Sequence, residues 1–283
     1  MPEHTSGAGR APHRRIRSLL TAVLTALLLA TATTATAPEA QAATCKVVIV
    51  VGPVGGATAS YKTSANKLAD QARSYGASVT KVYSPNATWS RVDAAAKGAN
   101  VLIYLGHGNG WPSPHVPFDV KSKDGMGLNR TYGDGNSNTK YFGEYYMAKL
   151  ALAPNAVVVL NRLCYASGNN EWAAGYPTKS TAIKRVDNYG AGFLKTRARA
   201  VFASGITGVG YVLKGLFKAD PATRMSKLFW TDPNRDGAYD FTFTSSRTSG
   251  ATAILDPFAP GRYYRSVVGF LGTTIGDWRA AGG

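Results

Sequence analysis

Two uninterrupted apolar runs, Val101-Leu102-Ile103-Tyr104-Leu105 and Ala156-Val157-Val158-Val159-Leu160, set the frame in which this chain can fold. A strand with one wet face alternates apolar and polar side chains. A run without alternation reads as a strand covered on both faces, which is the habit of parallel sheets flanked by crossover helices. Lys46-Val47-Val48-Ile49-Val50-Val51 is a third run of the same kind. Between the first and second of these strands in chain order, Tyr61, Ala65, Leu68 and Ala72 recur at helical spacing and Gly76 ends the pattern. Strand, helix and strand in alternation give an α/β fold with a mostly parallel sheet, right-handed crossovers and helices on both faces.

The remaining elements follow from the same signals. A strand over 79–83 leads to a short helix that starts from an N-cap at Thr88, carries Trp89, Val92 and Ala96, and closes at Gly98. Residues 111–142 are rich in Gly, Pro, Asn and Asp without a clear period, which predicts a long loop over the carboxyl edge of the sheet. A helix over 144–152, a strand over 156–163, a helix over 180–194 and a strand over 200–204 come next. Past Gly205 the pattern thins to short helices over 211–218 and 221–230, then small strands. The predicted organisation is an α/β domain over 43–217 and a small C-terminal extension over 218–283.

Residues 1–42 read as an export signal. Arg14, Arg15 and Arg17 precede an apolar core over 19–30, and Ala40-Gln41-Ala42 is a small-residue cleavage site, so the mature chain is expected to start at Ala43. The apolar core is shorter than the ~20 residues of a membrane span, and no later segment has the length. The expected location is extracellular, with no transmembrane segment once the leader is removed. The formal net charge is +16, and removing a leader with four arginines against Glu3 and Glu39 leaves +14. Such a charge suits an anionic cell-envelope polymer as a partner. No nucleic-acid motif accompanies it, so no specific nucleic acid is expected.

Cys45 precedes the first strand and Cys164 follows another, so a pairing would have to bridge roughly 20 Å of strand, against the ~7 Å limit between disulfide Cα atoms. Cys164 is then a free thiol at the carboxyl end of a buried strand, and His107 follows the neighbouring run in Tyr104-Leu105-Gly106-His107-Gly108. Ligands of open α/β sheets collect at that edge. A thiolate attacks and an imidazole carries its proton, so Cys164 and His107 form a candidate nucleophile and base. The N–H of Gly108, with that of Cys164, is a candidate oxyanion donor. Glu171 and Glu144 are candidates for orienting His107 or binding a basic substrate residue, and His115 for touching substrate from the loop.

An apolar strand ending in His-Gly, followed by a second ending in cysteine, resembles the caspase, gingipain, legumain and metacaspase superfamily of cysteine peptidases. The resemblance runs over roughly 46–205 and also extends to uncharacterised secreted bacterial proteins that share a Gly-His-Gly-Asn-Gly-Trp-Pro stretch. It implies a caspase-like sandwich, a peptide or protein substrate, His107 as catalytic histidine, Cys164 as nucleophile, and the Gly108 and Cys164 amides as oxyanion donors. The alternative is a non-catalytic secreted module in which both residues are architectural.

Two other motifs bear on ligands. Asp232, Asn234, Asp236 and Asp240 stand at loop positions one, three, five and nine, with Gly237 at six, which is the spacing of a calcium loop. Phe243 occupies the position of the usual bidentate glutamate. Two readings stay open, a loop that binds a structural Ca²⁺ and, given the missing ligand, a plain acidic turn; no cofactor is required by either. The glycine loop at 52–56 lacks the Lys-Ser/Thr of a P-loop and the spacing of a dinucleotide fingerprint, which argues against nucleotide binding.

Overall fold

The computed structural model describes residues 44–133, 135–171 and 174–283; the predicted export signal lies outside them. The strands are β1 Lys46–Val51, β2 Ser78–Tyr83, β3 Val101–Leu105, β4 Met126–Asn129, β5 Thr139–Phe142, β6 Val157–Asn161, β7 Ala200–Ser204, β8 Phe241–Thr244, β9 Thr252–Leu255 and β10 Arg265–Gly269. The helices are α1 Thr58–Ser74, α2 Trp89–Ala96, α3 Glu144–Met147, α4 Lys179–Leu194, α5 Gly210–Lys218, α6 Met225–Phe229 and α7 Ile275–Ala280.

Eight strands make one sheet in the order β2-β1-β3-β6-β7-β10-β9-β8. The first five are parallel, as the unbroken apolar runs require, and β10, β9 and β8 are each paired antiparallel to the strand before them in the sheet. Side chains alternate across the sheet, so each apolar run feeds two cores. Val48, Val50, Leu102, Tyr104, Val158 and Leu160 pack under α2, α3 and α4. Val47, Ile49, Val51, Ile103, Val157 and Val159 pack under α1, α5, α6 and α7. Burying each such side chain contributes about 1.5–3 kcal/mol, and in the eight-stranded sheet the exposed positions fall on the strands toward its two edges, β2 on one side and β8 and β9 on the other.

Residues 218–283, expected as a separate extension, instead supply β8, β9 and β10 to the same sheet. β10 pairs with β7 from Arg265 opposite Ser204 to Gly269 opposite Ala200. The division at 217 is therefore corrected, because an antiparallel strand that completes a sheet buries a short apolar run too brief to signal its partner. Residues 111–142 also differ from a featureless loop, since β4 and β5 pair antiparallel and turn Met126, Leu128 and Phe142 into the core. Trp89 stacks on Phe142 at 5.4 Å. The helix expected over 144–152 is a single turn, α3, with Glu144 buried at its start.

The carboxyl ends of the central strands are level, with Val51 opposite Leu105 and Leu105 opposite Asn161. The chain leaves β1 for β2 on one side and reaches β3 on the other, so crossover direction reverses beside the loop that follows β3. Both His107 and Cys164 lie just past this level edge.

Candidate functional site

Tyr104 fixes the backbone that carries His107. It is fully buried, its O–H lies 2.9 Å from the His107 carbonyl and 2.8 Å from that of Gly127, and it accepts the Gly127 N–H at 2.9 Å. One hydroxyl thereby ties the end of β3 to β4. Beyond His107, the Asn109 N–H donates to Tyr189 Oη at 2.9 Å, and the Trp111 N–H donates to Asp124 Oδ1 at 2.9 Å. Asp124 is buried in a left-handed backbone conformation, φ 63°, and its Oδ2 has no hydrogen-bond partner among the described residues. Burial pushes the Asp124 carboxyl up to about 7, against the Trp111 N–H bond, which lowers it.

Cys164 follows β6 through Arg162, which turns the chain at φ 60°, while Tyr61 Oη donates to the Arg162 carbonyl at 3.2 Å. The two loops touch at Gly108. A Cβ placed there would stand 2.1 Å from the Cys164 carbonyl oxygen, so glycine is the residue that lets the His-Gly turn lie against the cysteine. The N–H groups of Gly108 and Cys164 donate no hydrogen bond to another described residue.

His107 and Cys164 line one cavity of about 640 Å³, together with Tyr61, Glu171, Tyr176 and Tyr263. Each is half-buried. Among the described residues no hydrogen bond joins the thiol to the imidazole; His107 Nε2 instead meets Asn136 Oδ1 at 3.1 Å. With that oxygen accepting, Nε2 carries a proton, and in the neutral tautomer this leaves the lone pair on Nδ1. Burial pushes the Cys164 thiol up to about 11, Glu171 acts in the same direction, and Arg185 opposes them. Neither cysteine is in a disulfide.

The other predicted residues separate. Glu171 lines the cavity and His115 reaches it, Nε2 to Oε2 at 3.2 Å. Glu144 is buried away from the cavity and paired with Lys195 at 2.6 Å and Arg247 at 2.7 Å. Burial alone would raise its carboxyl, but hydrogen bonds from the two cations leave it below its ordinary value. The glycine loop is filled by the chain itself: a Cβ at Gly52 would lie 2.1 Å from the Gly127 carbonyl oxygen.

The predicted calcium ligands do not converge. Asp232 is completely buried, its Oδ2 bonded to Arg265 Nε at 2.8 Å and its Oδ1 accepting the Asn234 N–H at 2.8 Å. Arg265 also pairs with Asp256, and Asp256 accepts the N–H groups of Asp236 at 3.0 Å and Gly237 at 2.7 Å. Asp236 and Asp240 are exposed. A guanidinium thus sits where the loop spacing suggested a cation, and among the described residues no cluster of three His, Cys, Asp or Glu could hold a metal. These side chains do not fit calcium, because a bound ion would have to displace a buried arginine from two carboxylates.

Asn136, Asp124 and Arg265 carried no signal that sequence reasoning could use. Asn136 and Asp124 lie in the aperiodic stretch, and Arg265 reads as one basic residue among many.

No protein-family model matches the chain, and no curated protein matches it. Among solved structures, a secreted C11 cysteine protease from Bacteroides thetaiotaomicron, "iotapain", superposes with a TM-score of 0.34 at 11% identity, covering 76% of this chain and 67% of that one. The flavodoxin of Streptococcus pneumonia TIGR4 superposes with a TM-score of 0.27 at 16% identity, covering 54% and 78%. At these TM-scores neither likeness assigns a family or an activity to this chain. No helix among the described residues is long and apolar enough to cross a membrane.

Proposed function

We propose that the chain is an exported cysteine-dependent hydrolase of peptide bonds, caspase-like in type, with Cys164 as nucleophile and His107 as acid and base. One observation supports this above the rest: the thiol and the imidazole leave adjacent parallel strands and line the same cavity. Burial disfavours the thiolate in the free protein, so attack is coupled to loss of the thiol proton and needs a side-chain rotation at Cys164 or His107. His107 Nδ1 takes the thiol proton as sulfur attacks the carbonyl carbon, and the N–H groups of Gly108 and Cys164 receive the oxyanion. Collapse of the tetrahedral species breaks the C–N bond, and the imidazolium returns its proton to the leaving amine. Water, deprotonated by His107, then adds to the thioester and releases the carboxylic acid and the thiol. These steps draw on side chains, backbone amides and water.

A peptide-library digest with wild type and Cys164→Ala tests the reading. Cleavage by wild type that disappears in the variant supports it, and identical digests overturn it. The second reading, a non-catalytic basic module for anionic cell-envelope polymers, is favoured by the thiol held near 11 and by the imidazole engaged with Asn136. Iodoacetamide decides between them. A catalytic pair labels Cys164 faster in wild type than in His107→Ala, whereas equal rates favour the module.

A further inference from the structure

Glu171 is the acidic side chain among the described residues that line the cavity. Its two oxygens are engaged unequally. Oε1 accepts the Tyr165 hydroxyl at 2.6 Å, and Tyr165 is a buried residue on which the Arg185 guanidinium rests at 4.7 Å. Among the described residues Oε2 meets the imidazole of His115, and the side chains of this pair are 40% and 59% exposed.

The segment that delivers His115 is fastened by its backbone. Lys123 Nζ donates to the His115 carbonyl at 2.8 Å, and Arg185 Nε donates to that of Pro112 at 2.7 Å. Its tip is open to solvent, with Val116 73% and Phe118 44% exposed. The imidazole can therefore leave Glu171 by rotating about its own side-chain bonds while the loop stays in place. Glu171 also acts on the nucleophile, because its negative charge helps to keep the Cys164 thiol protonated. A cation seated on Glu171 relieves that effect.

We propose that residues 112–118 form a self-inhibitory latch: His115 holds the cavity carboxylate Glu171 in the free protein, and a ligand's cationic side chain takes its place. The proposal rests on the peptidase reading for its physiological ligand, a peptide that presents Lys or Arg, but the exchange at Glu171 stands on its own geometry. An arginine suits the position best, since its planar fork can address both carboxylate oxygens while Tyr165 retains its bond.

Calorimetry with agmatine, an arginine side chain without its backbone, tests the exchange on the full chain. Wild type is expected to bind it, Glu171→Gln to bind it about tenfold more weakly, and His115→Ala to bind it several-fold more tightly. Gln keeps an acceptor for Tyr165, and thermal melts establish that each variant is folded. Weaker or equal binding in His115→Ala makes the histidine a structural clamp and overturns the latch; binding unaffected by Glu171→Gln overturns the subsite. A second arm compares hydrolysis of matched peptides carrying arginine or citrulline. If wild type cleaves neither peptide while agmatine behaves as expected, the peptidase reading fails and the latch survives. If Cys164 cleaves both with one preference in wild type and Glu171→Gln, the peptidase reading survives and the latch falls.

Discussion

Replacing Asp124 by Asn should change how stability depends on pH. Asp124 sits under the His107 turn with Oδ1 on the Trp111 N–H and Oδ2 unpartnered. Burial displaces its carboxyl from an ordinary 3.8 to about 7, with Glu144 acting in the same direction and Arg247 and Lys123 opposing it. A carboxyl whose folded value is raised stabilises the fold fully below its unfolded value, and that stability is lost as pH rises through the folded one. With about 7 folded against 3.8 unfolded, raising pH from 5 to 8 removes on the order of 2–3 kcal/mol through this group. For a chain of this size that corresponds to roughly 5–10 °C in Tm. Asn reproduces the neutral carboxyl and has no proton to lose, so the stability of Asp124→Asn relative to wild type should rise by that amount across the interval. Urea denaturation of both proteins at pH 5, 6, 7 and 8 gives the difference directly, since every other titration is common to the two. Parallel curves would show that Asp124 is ionised throughout and that the burial argument is wrong.

Tyr104→Phe removes the hydroxyl shared by the His107 and Gly127 carbonyls and should cost about 1–3 kcal/mol in urea denaturation, since buried groups lose their partner; a loss under about 0.5 kcal/mol would mean the pedestal is dispensable. Gly108→Ala drives a Cβ to 2.1 Å from the Cys164 carbonyl, so either that carbonyl or the His-Gly turn must move. The expected result is a loss of about 1–3 kcal/mol, together with loss of any His107-dependent acceleration of Cys164 alkylation; unchanged stability and alkylation would contradict the close approach. Asp232→Ala leaves Arg265 buried with one carboxylate fewer and should cost about 3–5 kcal/mol, while chelator leaves the wild-type Tm unchanged. A chelator-sensitive Tm would reinstate calcium in the loop.

The α/β class was legible because it depends on local pattern. An unbroken apolar run such as Val157-Val158-Val159-Leu160 can be satisfied only by cover on both faces, and the helical spacing from Tyr61 to Ala72 supplies that cover nearby in the chain. The positions of His107 and Cys164 just past strand ends followed from the same runs. The calcium spacing misled because position in a loop says nothing of where a carboxylate turns. Asp232 points inward to an arginine that is 33 residues away in sequence.

By itself, then, the sequence determined the alternation of strands and helices, the edge at which a thiol and an imidazole emerge, and a free cysteine. Tertiary structure alone decided that Asn136 holds the imidazole, that Glu171 faces His115 across the cavity rim, and that 218–283 completes the sheet. The physical reason is range. Apolar periodicity is written in neighbouring residues, whereas hydrogen-bond partners and pKa displacements depend on groups brought together by the packing of distant segments, and no local pattern encodes those distances.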